Sequence, residues 1–401
     1  MEHFAVVQSL CRIGLAGDDK AFRQQVERLC QRLKKAGEAA DAETLERLLN
    51  AAPLAADLMP TKVEMSRFHG TGESLTHQVH PPVDRETAQP LCRIVLNPGA
   101  DMQQPLLAER SHRSLADLVR EWQTYGRLQE LGVAPGRSCL IFGPPGTGKT
   151  MTAYHLAAAL GLPLIDARID GLISSFLGTT ARNIANLFAF ANRYRCLLSL
   201  DEFDAIAKVR DDPQEIGEIK RVVNSLLQNL DDRANVGITV AITNHHELLD
   251  NAVWRRFENQ IQLDMPESEV RAAILRRALK PLPIDEDLLS LIVYVSEGRS
   301  AADLLRMTNA IKRLVALSGK DPTAQVQFEF FREAVAREPS MRSHQRAAMF
   351  AHDLEQFVIA AMGDPAFGLK QKPLGALLAV NQTTISRWIN RHEAQGKAHA
   401  Q

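Results

Sequence analysis

Gly143-Pro-Pro-Gly-Thr-Gly-Lys-Thr150 is a complete phosphate-binding loop of the form GxxxxGK[ST]. An apolar run, Cys139-Leu-Ile-Phe142, enters it, and a helix-forming run, Met151-Thr-Ala-Tyr-His-Leu-Ala-Ala-Ala-Leu160, leaves it. Gly143, Gly146 and Gly148 let backbone N–H groups turn inward around phosphate oxygens. Pro144, Pro145 and Thr147 complete the loop, and the helix opening at Thr150 and Met151 adds its positive end. Lys149 can reach the β- and γ-phosphates of a nucleoside triphosphate, and the Thr150 hydroxyl can coordinate Mg²⁺. The expected cofactors are therefore ATP and Mg²⁺.

Outward from this loop, apolar strand-like runs at 138–142, 163–167, 196–200, 237–242 and 260–264 alternate with amphipathic segments. The clearest is 218–230, with Ile219, Val222, Val223, Leu226, Leu227 and Leu230 on one face. Strands alternating with helices predict an α/β fold: a parallel five-stranded sheet sandwiched by helices, over 113–265. Residues 266–338 read as an all-helical lid and 345–401 as a further helical block. Residues 1–58 read as a small helical bundle, from the spacing of Phe22, Val26, Leu29, Cys30 and Leu33 and of Leu45, Leu48 and Leu49. Residues 59–112 read as a linker with one short strand candidate, Leu91-Cys-Arg-Ile-Val-Leu96.

The run Cys196-Leu-Leu-Ser-Leu-Asp-Glu-Phe-Asp204 supplies the acids. A buried strand delivers Asp201 beside Mg²⁺, and Glu202 follows as the group that polarises the attacking water. Two adjacent acids at a strand end fit hydrolysis better than signalling-type nucleotide binding. The next strand ends on Asn244, whose amide can bond both the γ-phosphate and the lytic water. In Leu249-Asp-Asn-Ala-Val-Trp-Arg-Arg-Phe257, Arg255 and Arg256 can donate charge to a transferring phosphoryl group.

Loop, Asp-Glu strand, Asn strand and Leu-Asp-x-Ala-x-x-Arg-Arg-Phe, in this order, are similar to AAA ATPases, most closely the katanin/spastin-like meiotic clade. The resemblance covers about 113–338. It implies a homo-oligomeric ring, a hexamer, with nucleotide between subunits. Arg255 and Arg256 would then be arginine fingers on the neighbour's ATP, and Asn244 the first sensor. Leu172-Ile-Ser-Ser-Phe-Leu-Gly178 resembles the first pore loop, which makes Phe176 the aromatic that grips a threaded polypeptide. The polar, acidic stretch 209–217 occupies the second pore-loop position. Gly298-Arg-Ser-Ala-Ala-Asp303 resembles the lid stretch that packs near adenine, with Ala301 in place of the usual Gly; Arg299 is not equated with a sensor. Leu230-Asp-Asp-Arg233 stands where the family has Asp-Gly-Phe, which departs from its intersubunit signal.

Lys370-Gln-Lys-Pro-Leu-Gly-Ala-Leu-Leu-Ala-Val-Asn-Gln-Thr-Thr-Ile-Ser-Arg-Trp-Ile-Asn-Arg391 resembles a helix-turn-helix. Leu374, Gly375 and Leu378 would pack the first helix, and Ile385 and Trp388 the second. Gln382, Thr383, Thr384, Ser386 and Arg387 would face outward toward DNA base edges and phosphates. Lys370, Lys372, Arg387, Arg391 and Lys397 give a local basic surplus.

Bulk composition fits this. With 45% hydrophobic and 24% charged residues the chain is of ordinary globular type. A net charge of −1 excludes any global pull toward nucleic acid or membrane. The five cysteines lack metal-ligand spacing, and no signal-peptide layout or membrane-length apolar run is present, so a cytoplasmic protein is expected. The expected function is ATP hydrolysis by a ring that remodels or threads a macromolecule, a protein by the pore loop. The alternative is a DNA-bound switch whose ATP state controls assembly.

Overall fold

The computed structural model describes residues 29–30, 33–34, 39–51, 72–100, 103–172, 177–207, 216–233, 237–338 and 344–399. The chain divides into two compact units, 1–66 and 67–401. In the first, the helix Ala39–Ala51 buries Ala42 and Leu45, and Cys30 and Leu33 are buried as well. Cys30, Leu33 and Leu45 are positions named from the helical spacing; Ala42 is not. The rest of the bundle expected over 1–58 lies outside the described residues, as do Phe176 and most of 209–217.

In the second unit, β1 (Cys92–Val95), β2 (Ser138–Phe142), β3 (Leu164–Ala167), β4 (Cys196–Leu200), β5 (Gly237–Thr243) and β6 (Asn259–Gln262) form one sheet. Its order is β1-β3-β4-β5-β2-β6. The five expected strands, β2 to β6, all run parallel. The sheet nevertheless has six strands, not five, because β1 adds to its edge antiparallel to β3. The short strand candidate Leu91–Leu96 thus contains β1. Its Cys-Arg-Ile-Val sequence lacks the continuous apolar run of a strand covered on both faces, so it carried a weaker signal.

Side chains alternate across the sheet. Leu140 and Phe142 of β2, with Cys196, Leu198 and Leu200 of β4, join a core with the helices Leu177–Ala191 and Ile216–Asp231. Cys139 and Ile141, with Val240 and Ile242, join the opposite core with the helices Glu109–Gln123 and Lys149–Leu160. β2 lies between β5 and β6, so the loop that follows it emerges beside the central strands.

The remaining helices form a third core. It joins Leu288, Leu291 and Phe331 from before residue 338 to Phe350, Phe357, Leu374 and Ile385 from after it. Phe350 packs edge-on to Phe328 at 5.7 Å and lies 4.9 Å from Phe331 and 5.1 Å from Phe357. A polar clasp reinforces this: Tyr294 Oη donates to Asp364 at 2.9 Å, and Arg346 donates to Asp364 at 2.6 Å. Arg346 also stacks 4.3 Å over the Tyr294 ring.

The last two helices, Gln371–Leu378 and Gln382–His399, meet at a tight turn. Ala379 adopts the left-handed conformation at φ 55°, where a Gly would be less strained. Gly375 lies so close to the turn that a Cβ there would stand 2.7 Å from the Val380 carbonyl oxygen. Ile385 is fully buried beneath it. Phe350→Ala should cost about 3–5 kcal/mol. Because this ring bridges the two helical stretches, both should melt together at a lower temperature in circular dichroism. Two separate transitions would show that the shared core does not unite them.

Candidate active site

Three glycines shape the phosphate loop in left-handed backbone: Gly143 at φ 142°, Gly146 at 77° and Gly148 at 99°. A Cβ on Gly143 would collide with the Leu263 carbonyl oxygen at 2.0 Å, so this position admits only glycine. Lys149 is 6% exposed, and its ammonium donates to the carbonyls of Gly143 and Pro144 at 2.8 and 2.7 Å. That holds its charge inside the loop. Burial lowers its pKa, while Asp201 and Asp204 act in the opposite direction.

Thr150 Oγ1 donates to Asp201 Oδ2 at 2.6 Å, joining the loop to the end of β4. The other oxygen of Asp201 accepts the Glu202 N–H at 2.8 Å. A hydroxyl and a carboxylate side by side are hard oxygen donors of the kind Mg²⁺ takes together with phosphate oxygens. Among the described residues no group of three or more His, Cys, Asp or Glu could hold a metal. The donor set therefore fits an ion shared with a bound triphosphate rather than one caged by protein alone.

Glu202 is exposed and sits in the left-handed region at φ 53°, a strained conformation for a non-glycine residue. The turn it makes is pinned on both sides. Phe203 N–H donates to the Ile242 carbonyl at 2.8 Å, and Thr243 Oγ1 donates to Asp204 at 2.7 Å. The ends of β4 and β5 are thus tied together, and the half-buried Asn244 follows directly from Thr243.

Arg255 and Arg256 are not brought to this loop. Both are exposed, and the Arg256 carbonyl accepts from Ser138 Oγ at 2.8 Å, at the start of β2. The loop begins at the other end of that strand, about 13 Å away at the rise of a β-strand. The Arg256 side chain is held by Asp231 at 2.8 Å. Arg233, at the position that departs from the family, is 6% exposed and donates to Asn192 Oδ1 at 2.7 Å. It also reaches the Cys196 carbonyl at 3.5 Å, so it braces the sheet's lower end.

The lid begins against the loop. Ala302 N–H donates to the Gly146 carbonyl at 3.1 Å, and Ser300 and Asp303 form a capping box at the start of the helix Ala301–Ser318. A Cβ on Gly146 would stand 2.7 Å from Ser300 Oγ. Ala301 lines a small apolar recess with Leu106, Leu107, Thr147, Leu263 and Ile274. Of these, Leu106 and Leu107 escaped the sequence analysis. Their signal, an apolar pair before the helix Glu109–Gln123, was submerged in a segment taken as linker.

At the turn of the last two helices, Gln382, Thr383 and Arg387 are exposed and Thr384 is half-buried. Ser386 is also half-buried and donates to Gln371 at 2.9 Å, so its hydroxyl is engaged within the fold. Asn390, exposed one turn beyond Arg387, extends the outer stripe.

Residues 139–265 match the family described as ATPase family associated with various cellular activities (AAA). The chain is 33% identical over 331 residues to the AAA family ATPase y4kL of Sinorhizobium fredii, covering 82% of this chain and 94% of that protein. It is 32% identical to the ATP-dependent zinc metalloprotease FtsH 3 of Sphaerobacter thermophilus over 62% of this chain, and spans about half, 52%, of that protease. It is 31% identical to a 26S proteasome regulatory subunit homolog of Methanothermobacter marburgensis, over 72% of this chain and 70% of that protein. The AAA domain of FIGL-1 is a similar solved structure, with TM-score 0.49 and 22% identity over 60% of this chain and 85% of that one. Among the described residues no helix is long and apolar enough to cross a membrane. With its phosphate loop, its Asp-Glu strand end and this relationship along most of its length, the chain belongs to the AAA family of ATPases.

Proposed function

We propose that this ATPase works with Mg²⁺ as a ring of identical subunits, a hexamer, and uses hydrolysis to remodel or thread a protein. Lys149 would neutralise the β- and γ-phosphates, and Thr150 and Asp201 would hold Mg²⁺, which would supply charge neutralisation at the phosphoryl group. Glu202 takes the proton of the attacking water, and Asn244 orients that water. The observation that carries the shared site is the position of Arg255 and Arg256. They lie at the far end of β2 from their own loop, so a second copy must present its own pair to complete the charge around the γ-phosphate. Among the described residues, Cys30, Cys92, Cys139 and Cys196 are all buried and in no disulfide, which supports a reducing, cytoplasmic setting. Phe176 remains the candidate substrate grip.

A second reading is favoured by the C-terminal stripe. Gln382, Thr383, Arg387 and Asn390 project from a helix whose Ile385 anchors it, an arrangement suited to the major groove. In this reading ATP state controls assembly on DNA. Thr384 and Ser386 contribute less, being partly covered.

Glu202→Gln should bind ATP as wild type does yet lose turnover by roughly two to four orders of magnitude, the usual weight of a general base. A malachite-green phosphate assay beside equilibrium ATP binding checks this; unimpaired turnover removes Glu202 from its role. The double variant Arg255→Ala, Arg256→Ala should bind nucleotide and be inactive alone. Mixed with Glu202→Gln subunits it should regain turnover, because each supplies what the other lacks. Failure to regain activity in a mixed oligomer counts against the shared site. Arg387→Ala separates the two readings: duplex binding measured by gel shift should fall if the DNA reading holds, with ATP turnover unchanged.

A further inference from the structure

The turn between the lid helices Glu286–Val295 and Ala301–Ser318 spans only residues 296–300. Its own hydrogen bonds are long: Glu297 N–H donates to the Tyr294 carbonyl at 3.4 Å, and Arg299 N–H to the Ser296 carbonyl at 3.2 Å. Gly298, in its middle, stands in left-handed backbone at φ 69°. A turn tied so weakly to itself takes its position from whatever grips it on either side.

At one end the grip is the phosphate loop. Ala302 N–H donates to the Gly146 carbonyl at 3.1 Å, and a Cβ on Gly146 would stand 2.7 Å from the Ser300 hydroxyl. A trans peptide points its carbonyl and the following N–H in opposite directions. The bond that draws the Gly146 carbonyl to the lid therefore turns the Thr147 N–H away from the lid, among the donors with which this loop wraps phosphate.

At the other end the grip comes from beyond residue 338. Arg346, on the helix Gln345–His352, donates through Nη1 to Glu297 and through Nη2 to Asp364. The Tyr294 ring lies 4.3 Å from its guanidinium. The Arg346 side chain is 24% exposed, so solvent screens this pair less than a surface one. His344, at the start of the same helix, also meets the turn: its Cδ2 would stand 4.0 Å from a Cβ on Gly298. A second arginine near Glu297, Arg271, is occupied elsewhere, donating to the Pro266 carbonyl at 2.8 Å and to that of Val293 at 3.3 Å.

We infer that Arg346 is a positioning residue for nucleotide binding. By holding Glu297 it seats the 296–300 turn on Gly146, which keeps the Thr147 N–H turned to phosphate. The C-terminal helices thereby tune the affinity of the phosphate loop from across the lid. This role needs neither a ring nor DNA. The Asp364 arm of Arg346 leads away from the turn, to the segment after the helix Leu354–Met362, and serves as its control.

The test uses the full chain and mant-ADP, followed by fluorescence. Arg346→Ala and Glu297→Gln should each weaken mant-ADP binding roughly three- to thirtyfold. The double variant should bind no more weakly than Arg346→Ala alone, because both changes remove one contact. KM for ATP should rise by a similar factor while kcat changes less. Hydrogen exchange at the Ala302 amide should quicken in both single variants. Glu297→Gln keeps the side chain's shape at a site 46% exposed, so it reads the contact in folded protein. Asp364→Asn should lower the melting temperature and leave mant-ADP affinity and Ala302 exchange as in wild type. Wild-type mant-ADP affinity in folded Glu297→Gln protein, unaltered Ala302 exchange, additive losses in the double variant, or an equal loss of affinity in Asp364→Asn would each overturn the inference.

Discussion

The hydrogen bond from Thr150 Oγ1 to Asp201 Oδ2, at 2.6 Å, joins two strands that are not neighbours. β5 lies between β2 and β4, so their axes stand about 9.5 Å apart. Only a loop rising above β2 and an acid leaving β4 can meet across that gap. The register allows it: Phe142 is level with Thr243 and Leu200 with Ala241. Asp201 and Glu202 therefore continue beyond β4 to the level at which the phosphate loop begins. Every other element of the site follows from that junction. The buried Lys149 points its charge into the same corner, and the ends of β4 and β5 are cross-tied through Asp204 and Thr243.

The same sheet separates the site into two halves. Its upper end carries the loop, the acids and Asn244. Its lower end carries Arg256 at Asp231 and Arg233 at Asn192. A parallel sheet gathers strand ends of one polarity on one side, so a residue placed before β6 cannot reach the phosphates above β2. This geometry, more than the presence of two arginines, supports a site completed by a second copy. It also gives Asp231 a use: it holds Arg256 in one orientation at the surface where a neighbour's nucleotide would approach.

Much of this was legible in the sequence because strands buried on both faces are written as unbroken apolar runs. Leu197 to Leu200 and Ile238 to Ile242 come close to this, each broken only by one uncharged residue, Ser199 or Thr239, and their site residues Asp201 and Asn244 follow within two steps. β1 was harder to read, since one charged residue interrupts its four and its role depends on β3, far along the chain. The joint core of the lid and the C-terminal helices was not legible at all. Phe331, Phe350 and Phe357 lie on three separate helices, and no periodicity within one helix states that another aromatic will meet it. Ser386 shows the converse. Its outward place in the motif was correctly spaced, yet Gln371, a residue of the preceding helix, takes its hydroxyl. In the sequence Arg233 reads only as part of a departure from the family pattern, and burial beside Asn192 and Cys196 gives it a structural duty.

Lid, loop and C-terminal helices are physically continuous. Gly146 receives the Ala302 N–H, and the helix behind Ala302 shares its core with Phe350 and Ile385. Whatever the last helices bind, they are built on the helix that begins against the phosphate loop. The central claim is that one chain holds only half of a catalytic site. ATP turnover per subunit, measured across a dilution series with the sedimenting species determined at each concentration, tests it most directly. Turnover per subunit should climb with concentration as oligomer forms and then level off. Full turnover from protein that sediments as a monomer would contradict the account.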